Sequence, residues 1–279
     1  MMSLNVSRRI FLGSAAAFSA VGASYGAATQ KPDTLILGLA SYSLKDKKLK
    51  DVIEATKALG VRFVNIKPEA HLPYDSSPAQ IADALRMLAD AGLKLAGTGT
   101  TYLPMEDEGE IRQRFEFNKA LRSPLMVIGP TVETLPVIER FVKEYDIQVA
   151  IHNHGPTDKY FPTPQSALNA IQGMDRRVGL CMDIGHTLRS GVNPTAAATQ
   201  AGARLLDIHA KDVRAVNLAW VGVDVGDGDV GIAELFRQLV KMGYRGCCNL
   251  EYEVNTDDKL PGMQKSVAYM RGVLAGLAA

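Results

Sequence analysis

The chain is poor in cysteine, has a single tryptophan and shows almost no imbalance of charge. Three Cys in 279 residues cannot build a disulfide framework, so the fold must rest on a buried core. With 31 Lys and Arg against 30 Asp and Glu, the formal net charge is +1. That balance gives no electrostatic reason to expect nucleic acid or an anionic membrane surface as partner. A content of 47% hydrophobic and 22% charged residues, with 25 Gly and 13 Pro, excludes a disordered or collagen-like chain. The apolar, small-residue stretch over 10–23 is shorter than the roughly 20 strongly apolar residues of a stable membrane span, so none is expected. A glycine fingerprint for dinucleotide phosphates is also missing. The turn after the first predicted strand reads Ala40-Ser41-Tyr42-Ser43-Leu44, and the Gly-rich run Gly226-Asp227-Gly228-Asp229-Val230-Gly231 comes far too late in the chain. That run reads as a flexible loop before a helix.

The N-terminus carries a targeting pattern. Residues 1–28 hold only two charged residues, Arg8 and Arg9, then small apolar residues ending in Gly26-Ala27-Ala28. A short basic region, a weakly apolar region and a small-x-small end read as an export signal cleaved after Ala28. Ser7-Arg8-Arg9-Ile10-Phe11-Leu12 resembles the twin-arginine signal, whose route carries folded proteins. The expectation is a signal over 1–28, a single domain over 29–279, and a periplasmic location.

From Thr34 onward, short runs rich in β-branched and aliphatic residues alternate with longer stretches of helical periodicity. Strands are predicted over 35–40, 61–67, 93–98, 125–128, 148–154, 178–183, 205–209 and 247–252. Helices are predicted over 49–59, 78–91, 110–121, 135–145, 164–171, 194–201, 232–242 and 264–274. Ser77-Pro78, Thr163-Pro164 and Asn193-Pro194 each place a capping residue before a Pro at the first helical position. Strict alternation implies a parallel sheet, and eight repeats in roughly 250 residues match a closed (β/α)8 barrel. A doubly wound open sheet is the structural alternative.

In such a barrel the active site lies at the C-terminal ends of the strands. Four consecutive predicted strands end in metal-binding residue types: His152-Asn153-His154, Asp183-Ile184-Gly185-His186, His209-Ala210-Lys211-Asp212 and Glu251-Tyr252-Glu253. Of only five His, four fall in these segments, and the fifth, His71, follows the second strand. Strand residues alternate faces, so His152 and His154 share a side. One His, one Asp, one His and one Glu converging on the axis make a mixed nitrogen–oxygen site for one divalent metal such as Mn, Co, Zn or Mg.

These segments resemble the xylose isomerase-like TIM-barrel superfamily, which includes sugar isomerases and epimerases, inosose dehydratase and endonuclease IV. The resemblance covers about residues 34–275 and rests on Asp183-x-Gly185-His186, His209-x-Lys211-Asp212 and the strand-ending Glu251. It implies Asp183, His209 and Glu251 as metal ligands. The fourth ligand of the family is usually a Glu ending the fifth strand; here His152 stands there, with His154 two residues on. A narrower resemblance, carried by Ile66-Lys67, His71-Leu72-Pro73, His152-Asn153-His154-Gly155-Pro156 and Cys181-Met182-Asp183, points to exported bacterial proteins labelled sugar phosphate isomerases/epimerases. Some related proteins act on 3-keto-glycosides as lyases or hydratases.

The implied chemistry is removal of a proton next to a carbonyl, and the implied partner is a small carbohydrate. His154 and His186 are the candidate bases, since imidazole titrates near neutral pH; orienting a ligand or a substrate hydroxyl is the alternative for each. Lys67 is a candidate electrophile near substrate oxygens. Glu69, His71 and Lys211 are candidates for lining the substrate pocket, and for Lys211 with Asp212 a supporting ion pair behind the ligands is the preferred role. Tyr102 and Trp220, read as lying in long loops, are candidates to stack on a sugar face. Cys181 reads as packing. The expected function is a lyase or hydratase on 3-keto-glycosides, with an isomerase or epimerase of free ketoses as the alternative. A sugar-binding protein without chemistry and an endonuclease IV-type phosphodiesterase are the competing classes. Five His and a neutral charge argue against the latter.

Overall fold

The chain is described from a computed structural model over residues 35–103, 107–217 and 219–277. The expected signal at 1–28 lies outside the described residues. Strands β1 (Ile36–Ala40), β2 (Phe63–Ile66), β3 (Lys94–Leu103), β4 (Leu125–Pro130), β5 (Gln148–His152), β6 (Val178–Asp183), β7 (Leu205–Ala210) and β10 (Cys247–Leu250) close into a barrel, while β8 (Asp212–Val216) and β9 (Ala219–Val223) form a separate antiparallel hairpin. Around the barrel the order is β1-β10-β7-β6-β5-β4-β3-β2, every pair parallel. The helices are α1 (Leu49–Ala58), α2 (Pro68–His71), α3 (Pro78–Asp90), α4 (Glu108–Ala120), α5 (Leu135–Tyr145), α6 (Pro164–Ala170), α7 (Ile184–Arg189), α8 (Pro194–Ala201), α9 (Ile232–Lys241) and α10 (Leu260–Leu277). The three Pro-marked starts behave as their sequences imply. Ser77, Thr163 and Asn193 each accept a backbone N–H from the third helical residue, which satisfies one of the donors that a helix start leaves over.

The strand periodicity sorts the two faces. Ile151, Leu180, Met182, Ile208 and Leu250 belong to the large apolar layer shared with the helices, where Phe115, Phe141 and Phe236 are fully buried. The intervening residues His152, Cys181, Asp183, Asp207, His209 and Asn249 are also buried, on the opposite parity. Register then sets them side by side: His152 pairs with Cys181, Asp183 with His209 and His209 with Asn249. The Glu251 N–H bonds to Ala210 O at 2.9 Å, so the β10 register carries one residue past its end.

Several boundaries differ from those predicted. β5 stops at His152 because the His154 N–H leaves the ladder and bonds to Phe161 O at 3.1 Å. β3 runs on to Leu103, paired with Pro130 of β4, so Tyr102 lies on a strand and not in a loop. Trp220 likewise lies on β9. The β8–β9 hairpin itself was not predicted. It pairs Asp212 with Val223 through Val216 with Ala219, and Asn217 turns it with a left-handed φ of 48°.

Asp212 does not make the supporting ion pair expected of it. Its buried carboxylate accepts the N–H groups of Gly226 (2.9 Å), Gly228 (3.1 Å) and Val230 (3.1 Å), so the glycine-rich run read as a flexible loop is fastened to β8. The Val225 N–H to Ser266 Oγ bond at 3.0 Å ties the same loop to α10. Asp212→Ala is expected to cost about 2–3 kcal/mol, since charge-assisted hydrogen bonds are lost and their donors left over. The check is urea unfolding, together with faster amide exchange over 224–231.

Candidate active site

Asp183 joins two jobs at the end of β6. Its Oδ1 accepts the His186 N–H at 2.7 Å and so caps α7, which leaves Oδ2 facing the barrel axis. Asn153 holds the strand end in place, accepting the Asp183 N–H at 3.0 Å and donating to Asp183 O at 3.3 Å. The motif glycine, Gly185, is where the Lys211 side chain passes: a Cβ there would meet Lys211 Cγ at 2.5 Å.

Facing Asp183 Oδ2 are His152 Nε2 at 3.4 Å and Lys211 Nζ at 2.9 Å. His152 Nε2 lies 3.0 Å from His209 Nδ1, which in turn lies 3.2 Å from Glu251 Oε1. Lys211 Nζ is 2.7 Å from Glu251 Oε2 and also pairs with Glu253. One donor atom each from His152, Asp183, His209 and Glu251 lie within 4.8 Å of one another, all four residues buried. Metal–ligand bonds of about 2.0–2.1 Å place neighbouring donors roughly 3.4 Å apart in a tetrahedron. The three shortest edges of this cluster already have about that spacing.

The donor chemistry fits a divalent cation on two further counts. Asp183 Oδ2 is buried and accepts no hydrogen bond, with the Lys211 ammonium at 2.9 Å and the His152 and His186 rings at 3.4 Å and 3.9 Å around it. Asp183, Glu251 and Glu253 surround that one ammonium, an excess of negative charge that one divalent ion balances. Burial pushes the pKa of His152 down to about 3, so its ring is neutral, as a ligand requires. Burial also opposes charge on His209, but the adjacent Glu251 carboxylate outweighs it and raises that pKa; a metal on the same nitrogen would take the proton's place. Burial disfavours ionised Asp183 and Glu251 as well. His186 and Lys211 beside Asp183, and His209 and Lys211 beside Glu251, nonetheless hold both carboxyls well below the usual range.

Cys181, with His152 and His209, makes a second possible donor set. Burial, with Asp207 close by, pushes its thiol pKa well up, which favours the carboxylate set. Below the ligands, Asp207 lies 3.9 Å from His209 Nε2 and is held by Asn249 Nδ2 at 3.0 Å, its pKa pushed up to about 7 by burial.

Of the two histidine bases considered from sequence, the partners now set their tautomers. His154 Nδ1 lies 3.2 Å from Asp158 Oδ2, so it carries the proton, and Nε2 is free to accept from the Tyr102 hydroxyl at 3.1 Å. Burial lowers the His154 pKa. His186 is the reverse. Arg189 can only donate, and its Nη1 lies 3.2 Å from His186 Nδ1, so the proton of a neutral His186 sits on Nε2, 3.9 Å from Asp183 Oδ2. The two rings lie 6.1 Å apart.

Of the remaining candidates, Lys67, Glu69 and His71 fall outside the cluster and Lys211 lies within it. Lys67 Nζ pairs with Glu69 at 3.0 Å, donates to Thr100 O and lies 5.2 Å from the ring of Tyr102, whose hydroxyl meets His154 Nε2. His71 is turned to the carbonyls of Lys47 (3.1 Å) and Ser41 (3.2 Å), which makes it a brace between loops and not a lining residue. Lys211, grouped with the pocket-lining residues, is engaged by three carboxylates and serves as the cluster's internal cation. Asp158, Asn153, Asp207, Arg189 and Glu253 were not singled out from sequence. Asp158 lies four residues after His154, and Arg189 three after His186 on α7; Asp207 and Glu253 share strand parity with His209 and Glu251.

A family model described as xylose isomerase-like TIM barrel matches residues 132–273. The rhizopine catabolism protein MocC of Rhizobium meliloti is 29% identical over 133 residues, which is 42% of this chain and 40% of that protein. The matches to curated relatives span only 40% to 52% of those relatives' lengths. Among solved structures, the 3-keto-D-glucoside 4-epimerase YcjR of E. coli superposes with a TM-score of 0.70 at 15% identity, covering 86% of this chain and 100% of that one. The probable 3-DHS dehydratase AsbF of Bacillus anthracis does so at 0.71 and 12%, covering 85% and 99%. At such identities these two show the shared fold alone. Together with the closed parallel barrel, the family match places this chain in the xylose isomerase-like TIM barrel family.

Proposed function

We propose that this chain is a metal-dependent carbohydrate enzyme that enolises a 3-keto-glycoside and eliminates its aglycone, acting in the periplasm. The observation that carries the reading is the pair of imidazoles with opposite tautomers beside the buried cluster of His152, Asp183, His209 and Glu251. A divalent cation held by those four residues would polarise the substrate carbonyl. His154 Nε2, with its lone pair set by Asp158, takes the proton from C2 of the sugar. The electron pair left at C2 then forms the C1–C2 double bond as the C1–O bond breaks and the C3 carbonyl is restored. The proton taken by His154 returns to the departing oxygen, so the products are an unsaturated 3-keto sugar and the free alcohol. His186 Nε2–H and the Arg189 guanidinium supply hydrogen-bond donors to substrate oxygens, and Lys67, paired with Glu69, stands by Tyr102.

The 3-keto-D-glucoside 4-epimerase and the probable 3-DHS dehydratase among the structural neighbours support epimerase or dehydratase chemistry on this fold. Epimerisation is the second reading. The two rings, 6.1 Å apart, would act in it as base and acid on a carbon held between them, and the neighbour's activity is epimerisation. Product analysis separates them. With methyl 3-keto-glucoside the expected products are methanol and an unsaturated or hydrated sugar, seen by NMR and mass spectrometry. Accumulation of an epimer with the glycosidic bond intact would replace the lyase reading by the epimerase one.

A further inference from the structure

We propose, building on the reading of the substrate as a glycoside, that the cavity beneath the β8–β9 hairpin receives the group attached to the sugar and selects an aromatic ring stacked on Trp220. The cavity has a volume of about 220 Å³ and reaches Glu251 and Lys211, so it adjoins the carboxylate–imidazole cluster. The lining is mixed: Asp212 and Glu253 add to its charged side, and its apolar part is Val213, Val223, Val225 and Trp220. The charged side of the lining can bond sugar hydroxyls, whereas the valines and Trp220 suit a ring that gains by leaving water. An apolar cavity of about 150 Å³ accommodates benzene, so this one has room for a single substituted ring.

Arg189 stands at the seam between cluster and cavity. It lines the cavity, donates to His186 Nδ1, and keeps a buried Nε without a hydrogen-bond partner. No ion pair to its guanidinium occurs among the described residues. A charged donor left over at that seam is placed for the oxygen that joins sugar to ring. The hairpin that forms the roof is fixed from below by the Asp212 carboxylate and its three loop N–H groups, so the ring would enter a preformed slot.

Trp220 is the chain's only tryptophan, which makes its fluorescence a direct probe. The metal-loaded protein is titrated with phenyl β-D-glucopyranoside, which lacks the 3-keto group and cannot be enolised, with methyl β-D-glucopyranoside as the comparison. The expected result is a saturable change in Trp220 emission with the phenyl glycoside, and binding of the methyl glycoside weaker by roughly tenfold or more. Gly222→Val fills the cavity: a Cβ at Gly222 meets nothing nearer than Glu253 O at 3.5 Å, and a β-branched residue suits a strand. The variant should keep its metal content and circular dichroism and lose the phenyl response. Equal responses to the phenyl and methyl glycosides in the wild type, or an unchanged phenyl response in a folded Gly222→Val, would overturn the proposal. Turnover of methyl 3-keto-glucoside is read separately. Turnover without a phenyl response sinks the cavity assignment alone, whereas a phenyl response without turnover supports that assignment and sinks the lyase reading.

Discussion

Glu251→Gln is expected to weaken divalent metal binding by more than about a hundredfold and to abolish measurable turnover, while the barrel stays folded. Changes behind a metal's ligands already cost 10–100-fold in affinity, and this one removes a ligand charge itself. Glu251 touches three members of the cluster: His209 at 3.2 Å, Lys211 at 2.7 Å and His152 at 4.0 Å. Glutamine keeps the shape, but its neutral amide leaves the buried Lys211 ammonium with two carboxylates instead of three. Fold stability should therefore fall by about 1–3 kcal/mol, less than the 3–5 kcal/mol that follows when a buried charge loses its sole partner. Glu253→Gln is the control. It also removes a Lys211 partner, but from a side chain 40% exposed and outside the donor cluster, so metal content should be kept. Elemental analysis of purified protein and thermal unfolding with and without added metal read both effects.

His154→Ala is expected to lower kcat by about a hundredfold to ten-thousandfold, the usual range for loss of a positioned general base, with metal content unchanged. Its ring contacts His152 at 4.3 Å between centroids without joining the donor set. Asp158→Asn should act in the same direction but less strongly, because a neutral amide still accepts from Nδ1–H while no longer favouring the imidazolium that forms during the reaction. A His154→Ala protein that turns over at the wild-type rate would transfer the base role to another residue, and His186 would be the first to consider. His186 carries its proton on the nitrogen facing Asp183 because Arg189 occupies the other, which suits a donor better than a base.

The barrel was legible because its signals are local and repeated. Each helix start with a cap and a proline, and each strand with alternating parity, could be read from a few residues. Asp183, His209 and Glu251 were legible for the same reason: strand ends in this fold point at one place, and their residue types are unusual for a core. The difficulty lay where long-range contact decides the role. Asp212 looked like a charge partner of Lys211, but the loop that claims it is 14 to 18 residues away in sequence. Tyr102 was read as a loop residue because the pairing that extends β3 depends on β4, not on its own periodicity. The hairpin over 212–223 lacks a glycine turn signal and follows directly on a barrel strand, so its two short strands were hidden in what looked like a long loop. The tautomers of His154 and His186 depend on Asp158 and Arg189, whose spacings of four and three residues carry meaning only once the local backbone is known.

The most direct test of enolisation follows the fate of deuterium at C2 of a methyl 3-keto-glucoside. Metal-loaded protein should release that deuterium to water at a rate at least equal to product formation, and Glu251→Gln should release none above background. Consumption of the substrate with the C2 deuterium fully retained in the sugar product would contradict C–H cleavage next to the carbonyl, and with it the function assigned to this site.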